Sequence, residues 1–248
     1  MASPLRAGGP SRWPGIISTS PPTDRRLGRS AVFPCSDRPE AALVKAMDET
    51  AAEELLSQAR AGDQASFGHL LERYRNYLTV LARLQIGRRL QGKFDPADVV
   101  QEAFLRAHAC FGQFRGRTEA ELVGWLRSVL ASRMAKLVRR YWGTQGRDVR
   151  LEQQVALELG QSSSAMGHFF AAAVESPSAE AARREQAVVL ANALECLPEH
   201  YREVILLHEF EDLPFPEVGR RMGRSVDSVR NLWTRGLTQL RHLLEGIT

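Results

Sequence analysis

The sequence has few features of a disulfide scaffold, a metal centre or a membrane protein. Its three cysteines (Cys35, Cys110 and Cys196) lie far apart and form no CxxC pair, which argues against a disulfide framework or a cysteine-based zinc site and predicts buried free thiols. No apolar run approaches the ~18 residues of a transmembrane helix, so no membrane insertion is expected. No HExxH, GxSxG or phosphate-binding glycine loop occurs, so we expect no enzyme activity, metal or cofactor, and the isolated His208 and Glu209 are expected to be surface groups.

The first part of the chain does not show the pattern of a folded segment. Residues 1–46 are rich in Pro, Gly, Ser and Arg. Their apolar residues recur neither at every second position, as in a strand, nor at every third or fourth, as in a helix. We expect a disordered extension, or a segment upstream of a true translation start at Met47. The longest apolar core within it, Gly15-Ile16-Ile17, is too short for a signal peptide.

Helical periodicity occupies most of the remaining sequence, in two blocks. In residues 48–142 and 182–246 apolar side chains recur every three or four positions, the stripe of helices that pack on a core. Between the blocks, residues 143–181 are rich in Ser, Ala and Gly and indicate mainly a flexible linker, in which part of 151–159 could form a weak helix. The predicted fold class is all-α, with two helical domains joined by this linker.

Residues 214–244 have the pattern of a helix-turn-helix motif. A short helix from Pro216 is expected to end at Gly223, which suits the left-handed conformation that terminates helices. Ser225 is placed to cap the next helix, and Gly219 is small where two helices must approach closely. Helix-glycine-helix patterns are common, so an ordinary helical hairpin is the alternative interpretation of this segment alone.

Basic residues are concentrated in two segments. Residues 219–248 contain six arginines and two acidic residues, whereas 199–217 contain six acidic residues and one arginine. Residues 115–150 contain nine Arg or Lys against three acidic residues, with Trp125 among them. Cations that bind phosphates beside aromatic rings that accept unstacked bases are typical of nucleic-acid binding. For Trp125 taken alone, a core position is the favoured interpretation.

Two long segments resemble one known family. The segment DPADVVQEAFLRAHACFGQFRGRTEAELVGWLRSVLASRMAKLVRRY resembles the second conserved region of bacterial RNA polymerase sigma factors. The segment LPEHYREVILLHEFEDLPFPEVGRRMGRSVDSVRNLWTRGLTQLRHLL resembles their fourth region. The two in this order, with no third region between them, resemble the extracytoplasmic-function (ECF) group of the sigma-70 family.

The resemblance implies a non-enzymatic promoter-specificity subunit that acts in the cytoplasm. Its partners would be core RNA polymerase (the β′ clamp helices and the β flap) and promoter DNA, with an anti-sigma protein as a further candidate. The residues implied for the β′ clamp helices are Asp98, Gln101 and Glu102. Those implied for the melted −10 strand, with a flipped base held by the turn at 114–117, are Phe114, Arg115, Arg117, Trp125, Ser132, Arg133, Lys136 and Arg140. Those implied for the −35 duplex are Arg224, Ser225, Ser228, Arg230, Asn231, Thr234 and Arg235.

The sequence departs from the family where the promoter would be read, which leaves the promoter sequence open. Ser132 stands where many relatives carry Asn, and Leu232, Thr234 and Gly236 replace positions that are often Arg, His and Ala. The main alternative is a stand-alone helix-turn-helix regulator, which would leave the first resembling segment without a role. A helical adaptor that binds only protein would leave both basic segments unexplained.

Overall fold

The computed structural model describes residues 49–90, 94–142, 149–174 and 180–245. These residues form helices and turns without a β-strand, which confirms the predicted all-α class. The predicted N-terminal extension, 1–46, lies outside the described residues. The helices are α1 (Glu49–Arg60), α2 (Gln64–Arg73), α3 (Arg75–Leu90), α4 (Pro96–Cys110), α5 (Glu119–Trp142), α6 (Val149–Val174), α7 (Glu180–Cys196), α8 (Glu199–Ile205), α9 (Phe215–Met222) and α10 (Val226–Glu245). A 3₁₀ turn, Phe111–Gln113, follows α4, and a π-helical segment, Leu206–Phe210, continues α8.

Capping side chains set the ends of the first helices, as the sequence predicts. Gly62 has a φ of +106°, which ends the segment after α1. The Asp63 carboxylate then accepts hydrogen bonds from the backbone N–H of Ala65 at 3.1 Å and of Ser66 at 3.3 Å. Asp95 caps α4 through the N–H of Ala97 at 2.8 Å, with Pro96 in the first turn. These caps satisfy N–H groups that have no partner within the helix.

Helices α1 to α5 form an N-terminal bundle. Helices α1 and α2 pack together, and α3, α4 and α5 pack on one another. The largest fully buried side chains include Tyr74, Tyr77, Leu81, Leu122 and Leu126. Because a buried side chain of this size contributes about 1.5–3 kcal/mol, this core fixes the positions of α4 and α5.

The prediction of a flexible linker over 143–181 is wrong for residues 149–174, which form the 26-residue helix α6. Two segments flanking α6, 143–148 and 175–179, lie outside the described residues. The buried side chains of α6 recur at helical spacing, and they are Val155, Leu159, Ser162, Ser163, Met166, Phe169, Phe170 and Ala173. Two serines within this stripe, and glycines that weaken helix propensity, obscure the periodicity in the sequence. Packing against neighbouring helices rather than propensity therefore stabilises α6.

Helix α6 lies between the N-terminal bundle and the C-terminal helices. It packs against α3 and α5 of the bundle and against α7 and α10. In the C-terminal part, α8 and α9 each pack on α10, through buried side chains that include Ile205, Val218, Val229 and Leu240. The two predicted domains therefore contact each other in this structure, both directly and through α6.

The structure bears on two further predictions, the burial of the cysteines and the lack of a membrane-spanning helix. The predicted burial of the cysteines is wrong for Cys110, which is half-buried, and for Cys196, which is exposed at the end of α7, while Cys35 lies outside the described residues. None of the described helices combines the length and the hydropathy that a membrane crossing requires.

Candidate protein and nucleic-acid interfaces

Helix α4 has a buried face and an exposed face. Val100, Ala103 and Ala107 pack into the bundle. The opposite face carries the predicted polymerase-binding residues, all exposed, together with a leucine that is 63% exposed. We call this the α4 surface, which consists of Asp98, Gln101, Glu102 and Leu105.

Helical spacing places Leu105 beside the predicted polymerase-binding residues, but only the packing of α4 shows that its side chain is exposed. Leu105 follows Gln101 by four residues and Glu102 by three, so all three share one face of the helix. A large exposed leucine beside carboxylates adds an apolar contact to a surface that the sequence alone suggested to be polar.

The loop at 114–118, between α4 and α5, is built around a buried aromatic ring. Phe114 is only 9% exposed, so its ring supports the loop from the core, although the sequence analysis assigned it to DNA. Gly116 passes over this ring so closely that a Cβ there would lie 2.3 Å from the ring. Only glycine allows the backbone this approach. Arg115 and Arg117 on either side are exposed.

Hydrogen bonds fix the same loop at its other end. The Glu121 carboxylate accepts from the N–H of Arg117 at 2.8 Å and of Thr118 at 3.0 Å, while the Glu121 N–H donates to Thr118 Oγ1 at 3.3 Å. This reciprocal arrangement is a capping box. The backbone N–H of Arg117, and then that of Thr118, lower the pKa of Glu121 by stabilising its charged form. From α1, the Arg60 guanidinium donates to the carbonyl of Gly116.

An aromatic cluster connects the loop to the rest of the bundle. Phe67 stacks on Phe111 with ring centroids 3.9 Å apart, and Trp125 lies 5.2 Å from Phe114 and 6.2 Å from Phe111. Trp125 is half-buried. One part of the Trp125 ring therefore packs in the core, as predicted for this residue taken alone. The rest of the ring is accessible beside the loop.

The predicted −10 residues farther along α5 lie at spacings of three and four and differ in exposure. Lys136 and Arg140 are exposed, whereas Ser132 and Arg133 are half-buried. The Nε of Arg133 is buried and has no hydrogen-bond partner among the described residues. We refer to the accessible predicted residues together as the loop–α5 surface, which consists of Arg115, Arg117, Trp125, Ser132, Arg133, Lys136 and Arg140.

The turn between α9 and α10 has the geometry that the sequence predicts. Gly223 is left-handed, with a φ of 62°, and its N–H bonds to the carbonyl of Gly219. Ser225 Oγ accepts from the N–H of Ser228 at 3.3 Å and so caps α10. A Cβ at Gly219 would lie 2.8 Å from the carbonyl oxygen of Arg224, so the predicted close approach is confirmed.

The exposed side of the start of α10 carries the predicted −35 residues. All of them are exposed except Ser228, which is half-buried. Arg230 pairs with Asp227 at 3.5 Å, and because both are exposed this pair is weak and can exchange for a phosphate. We call this set the α10 surface, which consists of Arg224, Ser225, Ser228, Arg230, Asn231, Thr234 and Arg235.

His208 and Glu209, predicted to be surface groups, are half-buried and support this motif from behind. His208 Nδ1 lies 2.8 Å from the carbonyl oxygen of Leu213, and its ring stacks on Phe215 at 4.1 Å. Trp233 Nε1–H donates to Glu209 Oε1 at 2.8 Å. Both residues lie in the π-helical segment, whose wider turn changes the direction of its side chains relative to an α-helix. They anchor the turn before α9 to α10.

The C-terminal motif and the N-terminal bundle define a helical DNA-binding protein with two basic surfaces and an acidic α4. Residues 187–240 match the family model described as sigma-70, region 4. The chain is 27% identical to the ECF RNA polymerase sigma-E factor of Haemophilus influenzae, over 71% of this chain and 86% of that relative. It is 27% identical to the RNA polymerase sigma-H factor of Pseudomonas aeruginosa, over 72% and 86%. A solved structure of CnrH in complex with the cytosolic domain of CnrY has 26% identity, covers 80% of this chain and 99% of that chain, and gives a TM-score of 0.30.

The family-model match and the two relatives agree with the resemblance seen in the sequence. The family-model match and the relatives, named as RNA polymerase sigma factors, support assignment of the chain to the ECF group of the sigma-70 family. Its general role is that of a sigma factor in transcription initiation. The matches to relatives extend well beyond the helix-turn-helix, so a stand-alone regulator is not favoured.

Proposed function

We propose that this chain directs core RNA polymerase to specific promoters by binding two promoter elements and the polymerase with three separate surfaces. The α10 surface binds the −35 duplex, the loop–α5 surface binds the opened −10 strand, and the α4 surface binds the β′ clamp helices. The functional domains are residues 48–142 and 182–246, and the chain acts in the cytoplasm. The observation that carries the proposal is the capped helix-turn-helix with its exposed arginines and asparagine.

The α10 surface has the chemistry to recognise a duplex. A helix of this size fits the major groove, with residues of its first turns against base edges. Arg230 and Arg235 carry guanidinium groups that suit guanine, and Asn231 carries an amide that suits adenine. Arg224 and Ser225 lie at the helix start, where N–H groups and cations favour phosphate.

The loop–α5 surface suits a single strand. The 114–118 loop is fixed by the Phe114 ring, by Glu121 and by Arg60 before any DNA arrives. Such a loop can accept a flipped base without ordering itself, and unstacking a base costs a few kcal/mol. Lys136 and Arg140 are exposed farther along α5, where successive phosphates would lie.

The α4 surface suits a protein partner. Its carboxylates and amide lie around the exposed Leu105, the combination of an apolar contact with a polar rim found in protein interfaces. We assign this surface to the β′ clamp helices and the C-terminal helices to the β flap. An anti-sigma protein that sequesters the chain would have to cover one of these surfaces.

The test is run-off transcription across a fragmented genomic library, with core polymerase from the source cell, in the presence and absence of this protein. We expect new, discrete start sites that share −10 and −35 sequences. Sequence-specific DNA binding without initiation would contradict the proposal and favour the stand-alone regulator.

Paired variants assign the surfaces. Arg230→Ala with Arg235→Ala should weaken binding to the −35 duplex and reduce its salt dependence, with a slope lower by about 0.9 per lost phosphate contact, but leave polymerase binding unchanged. Asp98→Ala with Glu102→Ala, or Leu105→Ala, should weaken polymerase binding and leave duplex binding unchanged. Arg106→Ala, which removes one exposed arginine on α4, is the control for loss of a positive charge outside the α10 surface. Equal loss of both activities in the arginine double variant would contradict the assignment of α10.

A further inference from the structure

One arginine of the α10 surface is held by an aromatic ring from outside α10. The guanidinium carbon of Arg230 lies over the Phe215 ring at the start of α9, 5.7 Å from the ring centroid. We propose that Phe215 is a positioning residue, whose ring orients the Arg230 guanidinium for one base pair of the −35 duplex and so determines how strictly that base pair is recognised. The inference rests on the proposed function, in which the α10 surface binds this duplex, and it names a residue behind the selectivity of that surface.

The Phe215 ring is itself fixed from several directions. Prolines at positions 214 and 216 restrict the backbone on both sides of Phe215. The ring stacks on His208, with centroids 4.1 Å apart and planes inclined by 22°. The Trp233 ring lies 5.6 Å away at an interplanar angle of 74°, an edge-to-face contact. Aromatic pairs prefer both of these arrangements, so the Phe215 ring cannot shift without losing one of them.

Two hydrogen bonds fix the rings that hold Phe215. His208 Nδ1 lies 2.8 Å from the carbonyl oxygen of Leu213, and Trp233 Nε1–H donates to Glu209 Oε1 at 2.8 Å. The two bonds connect the π-helical segment with the turn before α9 and with α10. The ring beneath Arg230 is therefore positioned by three elements of the fold rather than by α10 alone.

The contact with Phe215 leaves Arg230 available to DNA. The Arg230 side chain is 60% exposed. A cation–π contact requires no N–H hydrogen bond, so the guanidinium donors can still reach the O6 and N7 atoms of a guanine. On α10 itself the guanidinium lies 3.5 Å from Asp227, but an ion pair between two exposed groups does not fix a side chain in one orientation. The ring of Phe215 therefore supplies the tertiary contact that orients Arg230.

Arg235 provides a comparison within the same surface. It is exposed farther along α10, and its side chain has neither an ion pair nor a ring contact within the part of the chain that the structure describes. An arginine that is unrestrained before binding loses more side-chain freedom when it binds than one that is already held. Loss of the Phe215 ring should therefore weaken recognition by Arg230 and leave recognition by Arg235 unchanged.

Binding of the holoenzyme to a panel of promoters tests this role. Core polymerase carrying the full chain would be titrated with a promoter found by run-off transcription, in which each −35 base pair is changed in turn. Arg230→Ala should reduce the preference for one base pair by about 5- to 150-fold, the range for a bidentate contact. Phe215→Leu should reduce the preference for that same base pair by about two- to fivefold. It should leave the other preferences unchanged and have no further effect in a chain that also carries Arg230→Ala.

Further variants separate positioning from packing. Phe215→Tyr keeps the ring face and should retain the preference. Phe215→Met fills the space with a flexible apolar chain and replaces Phe215→Leu if that protein does not fold. Phe210→Leu makes the same substitution at a buried ring that lies 5.3 Å from Phe169. It should lower the melting temperature at least as much as Phe215→Leu and change no base preference. Loss of the same preference in the Phe210→Leu protein would show that Phe215 acts through packing alone and would overturn the inference.

The proposed function and the inference fail in different ways. If Arg230→Ala leaves every −35 preference intact, the assignment of Arg230 to base recognition fails and the role of Phe215 fails with it. If Arg230→Ala abolishes a preference that Phe215→Leu leaves intact, only the role of Phe215 is overturned. An equal loss of affinity for every promoter of the panel in the Phe215→Leu protein would likewise overturn that role and leave the assignment of Arg230 standing.

Discussion

The two basic surfaces of this molecule are positioned by different kinds of contact. The α10 surface depends on a turn whose parts lie close together in the sequence, with Gly219, Gly223 and Ser225 fixing the angle between α9 and α10. The loop–α5 surface depends on residues far from it in the sequence. Arg60 reaches the loop at Gly116 from 56 residues away, and the Tyr74 hydroxyl donates to Glu119 at the start of α5 from 45 residues away.

This difference predicts how each surface can fail. A local turn should lose its function through substitutions within the turn itself and tolerate changes elsewhere. A surface held by distant contacts should be sensitive to core substitutions that touch no DNA. Recognition of a duplex needs a rigid helix presented to a groove, whereas capture of an unstacked base needs a shaped site built by several elements.

The largest effect should come from Phe67, which lies beneath the loop–α5 surface. It is 2% exposed and contacts Phe111 and, edge-on at 4.8 Å, His108. Phe67→Ala should lower the free energy of unfolding by about 3–5 kcal/mol, because it leaves a cavity in the aromatic cluster. Urea denaturation would measure this loss. Binding of the −10 single strand should weaken more than binding of the −35 duplex.

Phe67→Leu is the control for Phe67→Ala, since it keeps most of the apolar volume and should give a smaller loss in both measurements. A Phe67→Ala protein that binds the two DNA elements with equally reduced affinity would remove the distinction between the two surfaces.

A smaller effect, confined to the other surface, is expected at Gly219. Gly219→Ala places a methyl group 2.8 Å from the backbone oxygen of Arg224, a clash that no side-chain rotation relieves. We expect a loss of about 1–3 kcal/mol in the free energy of unfolding and weaker −35 binding, with single-strand binding retained.

Gly68→Ala is the matched control for Gly219→Ala. Gly68 lies within α2, and a Cβ there has no atom within 4 Å. This substitution should stabilise the protein by about 0.5–1 kcal/mol, since alanine favours the helix. If Gly219→Ala, like Gly68→Ala, raises the free energy of unfolding, the close approach at Gly219 does not fix the geometry of the turn between α9 and α10.

The same difference explains what the sequence could predict. The glycine at 223, the cap at Ser225 and the close approach at Gly219 are local, so their outcome follows from residue type and spacing. The buried position of the Phe114 ring depends on how the loop folds over it, which no local pattern shows. Helix α6 was missed because serines occupy buried positions in its stripe, and only the neighbouring helices make those positions favourable.

The role of Leu105 and the support from His208 were missed for a related reason. Helical spacing alone places Leu105 beside Glu102, but an exposed leucine cannot be distinguished from a buried one until α4 is packed. His208 and Glu209 take their positions from a π-helical turn, which has no sequence signal comparable to an N-cap residue.

The smallest predicted effect concerns charge at the loop and sharpens the contrast between the two turns. The Glu121 pKa is lowered by the N–H of Arg117 and then of Thr118. A carboxyl group with a lowered pKa stabilises the folded loop above its ordinary pKa of about 4.3, and this contribution is lost as the pH falls through the lowered value.

The amide resonances of Arg117 and Thr118, followed by NMR, should therefore titrate with a pKa below the ordinary value. Glu121→Gln should abolish that titration and leave weaker hydrogen bonds, because a neutral amide oxygen is a poorer acceptor than a carboxylate. The α10 turn is capped by the uncharged Ser225 hydroxyl, so it should keep its cap across the same pH range. An ordinary pKa for Glu121 would mean that its carboxylate does not hold the loop, and Arg60 and the Phe114 ring would then be left to position it.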